Sequence, residues 1–350
     1  MDFHIESFMT ERVQALILAG GQAKRFGGEC KCLKHIGLYD LIGEQERVSI
    51  LEKWLLDLTS AGVVDITILA GKHYDTIKSY LRVAKKKLLT IDWDMIKVVE
   101  DKETLSETIF ENLDPTAEKF IIINGDIVTD VSIKDMLRYE NACLVVSAPS
   151  PYGHLRISHS DLVIAGKEGH VVGCDEKPLL HDINGGVYVF NHNILDFPED
   201  LKKKDWETEV KNEIFSTYYV TPYRFNYFWK SVETPKDWEE VKRFYRLKLI
   251  KRWGWVWKYN PLDDLGMNLL FIKKGYSTSY HLHEKRSEAI YVLEGKLEVI
   301  HEDEKYILNK GQARVFKKGD KHMLKALEYS LVVEAYNGKF EDVVRYQKRI

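Results

Sequence analysis

Through roughly the first 250 residues, two hydrophobic periods alternate along the chain. Short unbroken apolar runs have the length and composition of strands buried on both faces. They are QALILAGG from Gln14, DITILAG from Asp65, MIKVVED from Met95, KFIIINGD from Lys119 and ACLVVSAP from Ala142. Between them, apolar residues recur three and four apart in SILEKWLLDLTSAG from Ser49, YDTIKSYLRVAKKK from Tyr74 and TLSETIFENL from Thr104. Those spacings predict amphipathic helices, the first stopped by Gly62. Strands separated by helix-length segments predict an α/β fold with a mostly parallel sheet covered on both faces. Ligands on such sheets gather at the carboxyl ends of the strands. The glycines after the first strand and Asp126 after the fourth both fall there.

The pattern then changes. TPKDWEEVKRFYRLKLIKRW predicts a helix from Thr234 to near Lys251. Beyond it come NLLFIKKG, AIYVLEGKLEVIHEDEKYIL, ARVFKKGDKHML and YSLVVEAYNG, short strands punctuated by glycine, as in an antiparallel barrel. Two domains are expected, residues 1–250 and 251–350.

Composition narrows the function classes. A formal net charge of −3 gives no reason to expect a nucleic-acid partner, and no apolar stretch is long enough to cross a bilayer. The N-terminal MDFHIESFMTER lacks the layout of a signal peptide, and the cysteines at 30, 32, 143 and 174 form no CxxC pair. A cytoplasmic protein is the expectation. Cys30 and Cys32 flank Lys31, and their simplest reading is as small side chains lining a loop.

GGQAKRFGG fits neither the P-loop nor the dinucleotide fingerprint. Glycines directly after a strand nevertheless let backbone N–H groups approach an anion. Arg25 adds a forked donor, and Lys31 or Lys34 a point charge. Together they meet the needs of a polyphosphate.

The combination of Gly20, Gly21, Arg25, Phe26 and a downstream lysine resembles the LAGGxxxR[FLM]…PKxLLPxxG signature of the sugar-1-phosphate nucleotidyltransferases. CKCLKHIG stands where that signature reads PKxLLPxxG, so Cys30 replaces the proline and Lys31 takes the lysine position. The resemblance runs in order to about residue 245 and implies a Rossmann-like domain that uses Mg²⁺. It assigns Leu18, Ala19, Gly20, Gly21, Arg25, Lys31 and Asp126 to the nucleotide, with Asp126 of the NGD segment also holding the Mg²⁺. SPYGHLRI, CDEKP and INGGVYVF resemble sugar-binding segments, which brings Gly153, Glu176, Lys177, Asn184 and Gly185 to the sugar phosphate. Arg25, Lys31, Asp126 and Lys177 become the implied catalytic set. In FWKSVETPKDWEEV the second metal-binding aspartate of the family falls on Ser231, and Glu233 lies two residues on. LSET at Leu105–Thr108 replaces the LGTA of many relatives beside the base.

In the second domain His281 and His283 alternate, so in a strand they share a face. With Glu288 and the later His322 they make a donor set suited to Zn, Mn, Fe or Ni. This spacing, with VLEGKLEV, resembles the cupin family and implies an all-β cupin barrel. The flanking KRWGWVWKY and FEDVVRYQKRI are similar to the borders of the cupin in type II phosphomannose isomerase–mannose-1-phosphate guanylyltransferases. Met323 stands where those enzymes carry a basic residue. The resemblance implies mannose-1-phosphate and GTP as first substrates, a second sugar-phosphate isomerase activity and a homodimer through the cupin. Competing expectations are a thymidylyl-, cytidylyl- or uridylyltransferase, a nucleotide-sugar-binding regulator without turnover, and a catalytic cupin with a docking domain.

Overall fold

The computed structural model of the protein describes residues 11–41, 44–63, 65–100, 103–147, 162–165, 171–175, 182–262, 265–338 and 342–346. These divide into two compact units. One takes the described residues of 1–34, 49–129 and 136–238, and the other those of 35–48, 130–135 and 239–350. The sequence led us to expect one cut near residue 250; the units instead interleave, because two early segments pair with late ones.

At the centre of the first unit lies Val13–Leu18, paired in parallel with Asp65–Leu69 on one side and Lys119–Asn124 on the other. Ala15, Leu16 and Ile17 are fully buried, as a strand covered on both faces requires. Ile96–Val99 extends the parallel part beyond Asp65–Leu69. On the opposite side Asp182–Asn191 joins antiparallel to Lys119–Asn124, followed by Leu162–Ala165 and Val171–Asp175. The helices Ile50–Ser60 and Leu105–Glu111 both open with a capping box, Ser49 with Glu52 and Thr104 with Glu107. The core packs Leu16, Phe120 and Ile122 of the sheet against Ile109, Trp206, Ile214 and Phe215.

The second unit is built from an eight-stranded and a five-stranded sheet, almost wholly antiparallel. Leu270, Ile272, Ile290, Val292 and Val332 of the larger sheet meet Leu297, Val299, Leu308 and Leu324 of the smaller in one core. Burial alternates along Ser330–Asn337 with the period of a half-buried strand.

The predicted helix through Lys251 ends earlier, at Tyr245, and Lys248–Lys251 is a strand. It pairs antiparallel with Gly254–Leu262 and parallel with His35–Leu41, a strand that the sequence pattern did not announce. Sheet pairing at Leu249 and Ile250 outweighs the helical preference of the surrounding leucine and lysine. Asp130–Asp135 is stitched into the same unit. Asp130 accepts hydrogen bonds from the Tyr245 hydroxyl (2.7 Å) and Trp255 Nε1 (3.1 Å), and the Ser132 hydroxyl donates to the Lys274 carbonyl (2.7 Å).

Candidate active site and a candidate metal centre

After Leu18 the chain leaves the sheet through Ala19, Gly20 and Gly21 and turns into a short 3₁₀ segment, Lys24–Phe26. Ala23, Gly27 and Gly28 all hold positive φ, at 48°, 63° and 87°, so the loop doubles back tightly on itself. Its backbone is latched from the neighbouring strand end: the His73 ring meets the Gly21 carbonyl at 3.1 Å, and the Lys72 ammonium donates to the Gln22 carbonyl. Arg25 is exposed on this turn.

The second 3₁₀ segment, Lys31–Leu33, carries the lysine inward. Lys31 Nζ lies 2.6 Å from Asp126 Oδ2 and 3.1 Å from Glu233 Oε2, with only 14% of its side chain exposed. Asp126 reaches this position because Gly125 hydrogen-bonds the Leu18 carbonyl at 2.9 Å, an approach so close that a Cβ on Gly125 would stand 2.7 Å from that oxygen. Glu233 is aimed by its neighbour: the Ser231 hydroxyl donates to Oε1 at 3.1 Å. Burial lowers the affinity of Lys31 for its proton, but the charges of Asp126 and Glu233 outweigh it and raise the pKa. Burial raises Asp126, against the pull of Lys31. Two carboxylates facing one point supply the hard oxygen donors that Mg²⁺ takes, so these residues fit that ion.

On either side of Lys31, Cys30 Sγ and Cys32 Sγ lie 3.3 Å apart, both buried. The hydrogen bond from Cys32 holds the Cys30 thiol below its ordinary pKa, while that same bond and burial push Cys32 up.

Among the sugar-phosphate residues, Asn184 and Gly185 lie on Asp182–Asn191, at the irregularity where its register against Ala142–Ser147 shifts. Asn184 is turned to internal work: its amide donates to the Tyr188 hydroxyl at 2.7 Å and its carbonyl accepts from Gly186 N at 3.0 Å. Gly185 packs so close to Leu144 that a Cβ there would fall 2.4 Å from Leu144 Cγ. Gly153, Glu176 and Lys177 lie outside the described residues. Ser106, of LSET, is fully buried, and its hydroxyl has no protein partner among the described residues.

In the second unit, His281, His283, Glu288 and His322 bring their donor atoms within 4.8 Å of one another. Each imidazole turns Nδ1 to a backbone carbonyl: His281 to Ser279 (2.8 Å), His322 to Asp320 (3.1 Å) and His283 to Asp342. A carbonyl only accepts, so each Nδ1 donates to it, which turns the Nε2 edge of each ring toward the centre of the cluster. His322 Nε2 is 2.6 Å and His283 Nε2 3.1 Å from the Glu288 carboxylate. Burial and then the neighbouring His322 push His281 down to about 3. Burial opposes the charge of Glu288, yet the hydrogen bonds of His283 and His322 hold its pKa below the ordinary range. Three imidazoles, each oriented through Nδ1, and a carboxylate fit a divalent transition ion.

Arg286 stands at the arginine of the related cupin segment, but its partners Glu334, Asn268 and Tyr336 were not foreseen in the sequence. Arg286 Nη2 lies 2.8 Å from Glu288, 2.9 Å from His283 Nε2 and 3.3 Å from Glu334, and its guanidinium stacks 4.2 Å above the Tyr336 ring. Asn268 holds Glu334 at 2.8 Å. Burial, followed by the charge of Glu288, raises Glu334 to about 7. A signal was present: Asn268 and Glu334 are polar residues at core-facing positions of apolar strands.

A parallel strand end with a glycine loop, a buried lysine and paired carboxylates defines a phosphoryl-handling α/β domain. Residues 14–248 match the nucleotidyl transferase family, and the chain belongs to it. Residues 268–332 match the cupin domain. Among curated relatives, mannose-1-phosphate guanylyltransferase 1 of Arabidopsis thaliana is 26% identical over 69% of this chain. The catalytic subunit beta of mannose-1-phosphate guanylyltransferase from Drosophila melanogaster is 26% identical over 64%. The matches span 66% and 60% of those relatives' own lengths. A Bacillus anthracis protein assigned as a glucose-1-phosphate thymidylyltransferase, solved with sucrose, shares the fold with TM-score 0.51 at 15% identity, covering 67% of this chain and 95% of that one.

Proposed function

We propose that the chain transfers a nucleotidyl group from an NTP to a sugar-1-phosphate, releasing pyrophosphate, with mannose-1-phosphate and GTP as the first candidates. The observation that carries this reading is Lys31, held 2.6 Å from Asp126 and 3.1 Å from Glu233 beside the glycine loop. Names of relatives support the choice of sugar and base. Lys31 faces and neutralises two acids. A magnesium nucleotide brings a cation for the carboxylates and an anion for the lysine, so both partners are satisfied by exchange. Asp126 and Glu233 would hold the Mg²⁺, which supplies charge neutralisation at the phosphates. The loop amides and Arg25 bind the polyphosphate and Lys31 steadies the charge that develops on it, while Lys177 is assigned to the sugar phosphate. In-line attack on the α-phosphorus then needs positioning more than covalent help. Neutralising Lys31 should cost about 2–4 kcal/mol of barrier. Pyrophosphate release, screened across NTPs and sugar-1-phosphates, tests the reading. Saturable binding without release would favour a regulator instead, for which Ser231 at the second aspartate position is the supporting observation.

The second unit would hold a divalent transition ion on His281, His283, Glu288 and His322 and act on a sugar phosphate. Self-association through this unit is supported by an apolar sheet face. Tyr259, Met267, Ala335, Ala289 and Val315 line up across five strands, and Tyr291 flanks them. Tyr259 is 50% and Val315 59% exposed, and a second copy with the same uncharged face is the occupant it suits. No helix of the described residues is long and apolar enough to cross a membrane, and we place the reaction in the cytoplasm.

A further inference from the structure

The geometry points to Cys30 and Cys32 as a reversible dithiol that a peroxide closes into a disulfide, releasing the grip of Lys31 on its site. The two sulfurs are 3.3 Å apart, and Lys31 is the single residue between them. A disulfide needs about 2.05 Å between sulfurs, so closing the bond calls for a movement of little more than 1 Å. Cys143 lies elsewhere, its Sγ facing the Leu144 carbonyl and the Asn184 side chain. Cys30 follows the exposed Gly27–Glu29 and is the more accessible of the pair, at 7% against 3% for Cys32. Where a compartment keeps thiols reduced, disulfides are transient and sense oxidants, which suits a dithiol at a functional loop.

The chemistry balances in two steps. The Cys30 sulfur attacks a peroxide oxygen, the O–O bond breaks, and a sulfenic acid and water form. The Cys32 sulfur then attacks the sulfenic sulfur, the S–S bond forms, and hydroxide leaves as a second water. Two thiols lose two electrons, and hydrogen peroxide gains them. Ring closure across Lys31 rebuilds the turn that now has Leu33 N bonded to the Cys30 carbonyl at 3.3 Å and Lys34 N to the Lys31 carbonyl at 3.0 Å. Lys31 depends on that turn to reach Asp126 at 2.6 Å. Loss of one charge-assisted contact to phosphate should weaken binding roughly ten- to hundred-fold.

This inference rests on the transferase reading for its consequence but not for its chemistry, and the experiment separates the two. The full chain is treated with hydrogen peroxide, digested without reduction, and weighed by mass spectrometry. A loss of two hydrogens on the peptide containing Cys30 and Cys32, reversed by dithiothreitol and blocked by phenylarsine oxide, which bridges paired thiols, is the expected result. Separate oxygen adducts on Cys30, or two thiols left untouched, would overturn it. Equilibrium binding of magnesium GTP to the same samples should fall ten-fold or more on oxidation, and Cys30→Ser and Cys32→Ser chains should keep their affinity after peroxide. A disulfide that forms with no change in affinity refutes the switch. A reduced chain that binds no nucleoside triphosphate refutes the transferase reading and the switch together, while the mass measurement still decides the dithiol.

Discussion

Replacing Lys31 with methionine asks whether the ammonium group is what allows two carboxylates to share the strand-end site. Methionine keeps a flexible apolar stem and removes the charge. In the parent chain Nζ stands 2.6 Å from Asp126 and 3.1 Å from Glu233, which puts the two acidic oxygens at most about 6 Å apart. With the cation gone, their repulsion at an effective dielectric constant of 20 is about 3 kcal/mol. The three side chains keep between 14 and 34% exposure, and solvent screens part of that energy. The expected net loss of stability is about 1–3 kcal/mol. The pH dependence gives the sharper test. Asp126 already sits above its ordinary pKa through burial, and Lys31 works to lower it, so removing the lysine raises it further. A carboxyl group with a raised folded-state pKa binds more protons folded than unfolded, and stability falls as pH climbs through that window. The deficit should therefore be full near neutrality and close towards about pH 4. Urea unfolding of both chains at the two pH values measures it, and added magnesium should recover part of the loss in the variant. A variant as stable as its parent near neutral pH, or one with the same deficit at both, would refute the electrostatic account.

Arg286→Met leaves Glu288 and Glu334 without the guanidinium that lies 2.8 and 3.3 Å from them, and should cost about 3–5 kcal/mol by calorimetric unfolding. Lys248, lowered to about 8 by burial, has its ammonium 3.3 Å from the Phe244 ring centre. Between that value and the ordinary lysine pKa the unfolded state binds more protons, so stability gains a rising component with pH that Lys248→Met should lack in a urea titration series. His283→Ala should lower the divalent metal content of the purified protein, read by elemental analysis, and abolish the metal-dependent rise in unfolding temperature. Tyr291→Glu places a charge on the apolar sheet face and should halve the mass seen by light scattering; an unchanged mass sinks that interface.

Residues that end a regular element were the most legible in the sequence. Asp126 follows a strand run and an NG turn, and Lys31 follows a double-glycine loop, so both could be placed at the carboxyl edge before any coordinates. His281 and His283 were readable from their alternation taken together with the spaced Glu288 and His322 and the cupin-like pattern. Asp342 was not, because it orients His283 from 59 residues away and only the fold brings them together. The strand Glu44–Ser49 carries the polar run EQER without an apolar alternation, and its pairing with the rest of the second unit is decided by tertiary contacts. Ser231 marked a departure from the family pattern, and its hydroxyl turns out to hold Glu233. The 3.3 Å approach of Cys30 and Cys32 has no counterpart in sequence, since a CxC spacing is compatible with sulfurs facing apart.

The parallel pairing of Leu38 with Leu249 has a consequence for how the protein is made. The strand His35–Leu41 leaves the ribosome roughly 210 residues before its partner, a delay of about 10–40 s at ordinary elongation rates. For that interval Ile36 and Tyr39, which end 2 and 3% exposed, face solvent beside an open strand edge. The nascent chain therefore carries a sticky segment through most of its synthesis, and a gene shortened to stop before residue 248 would leave that segment uncovered for good.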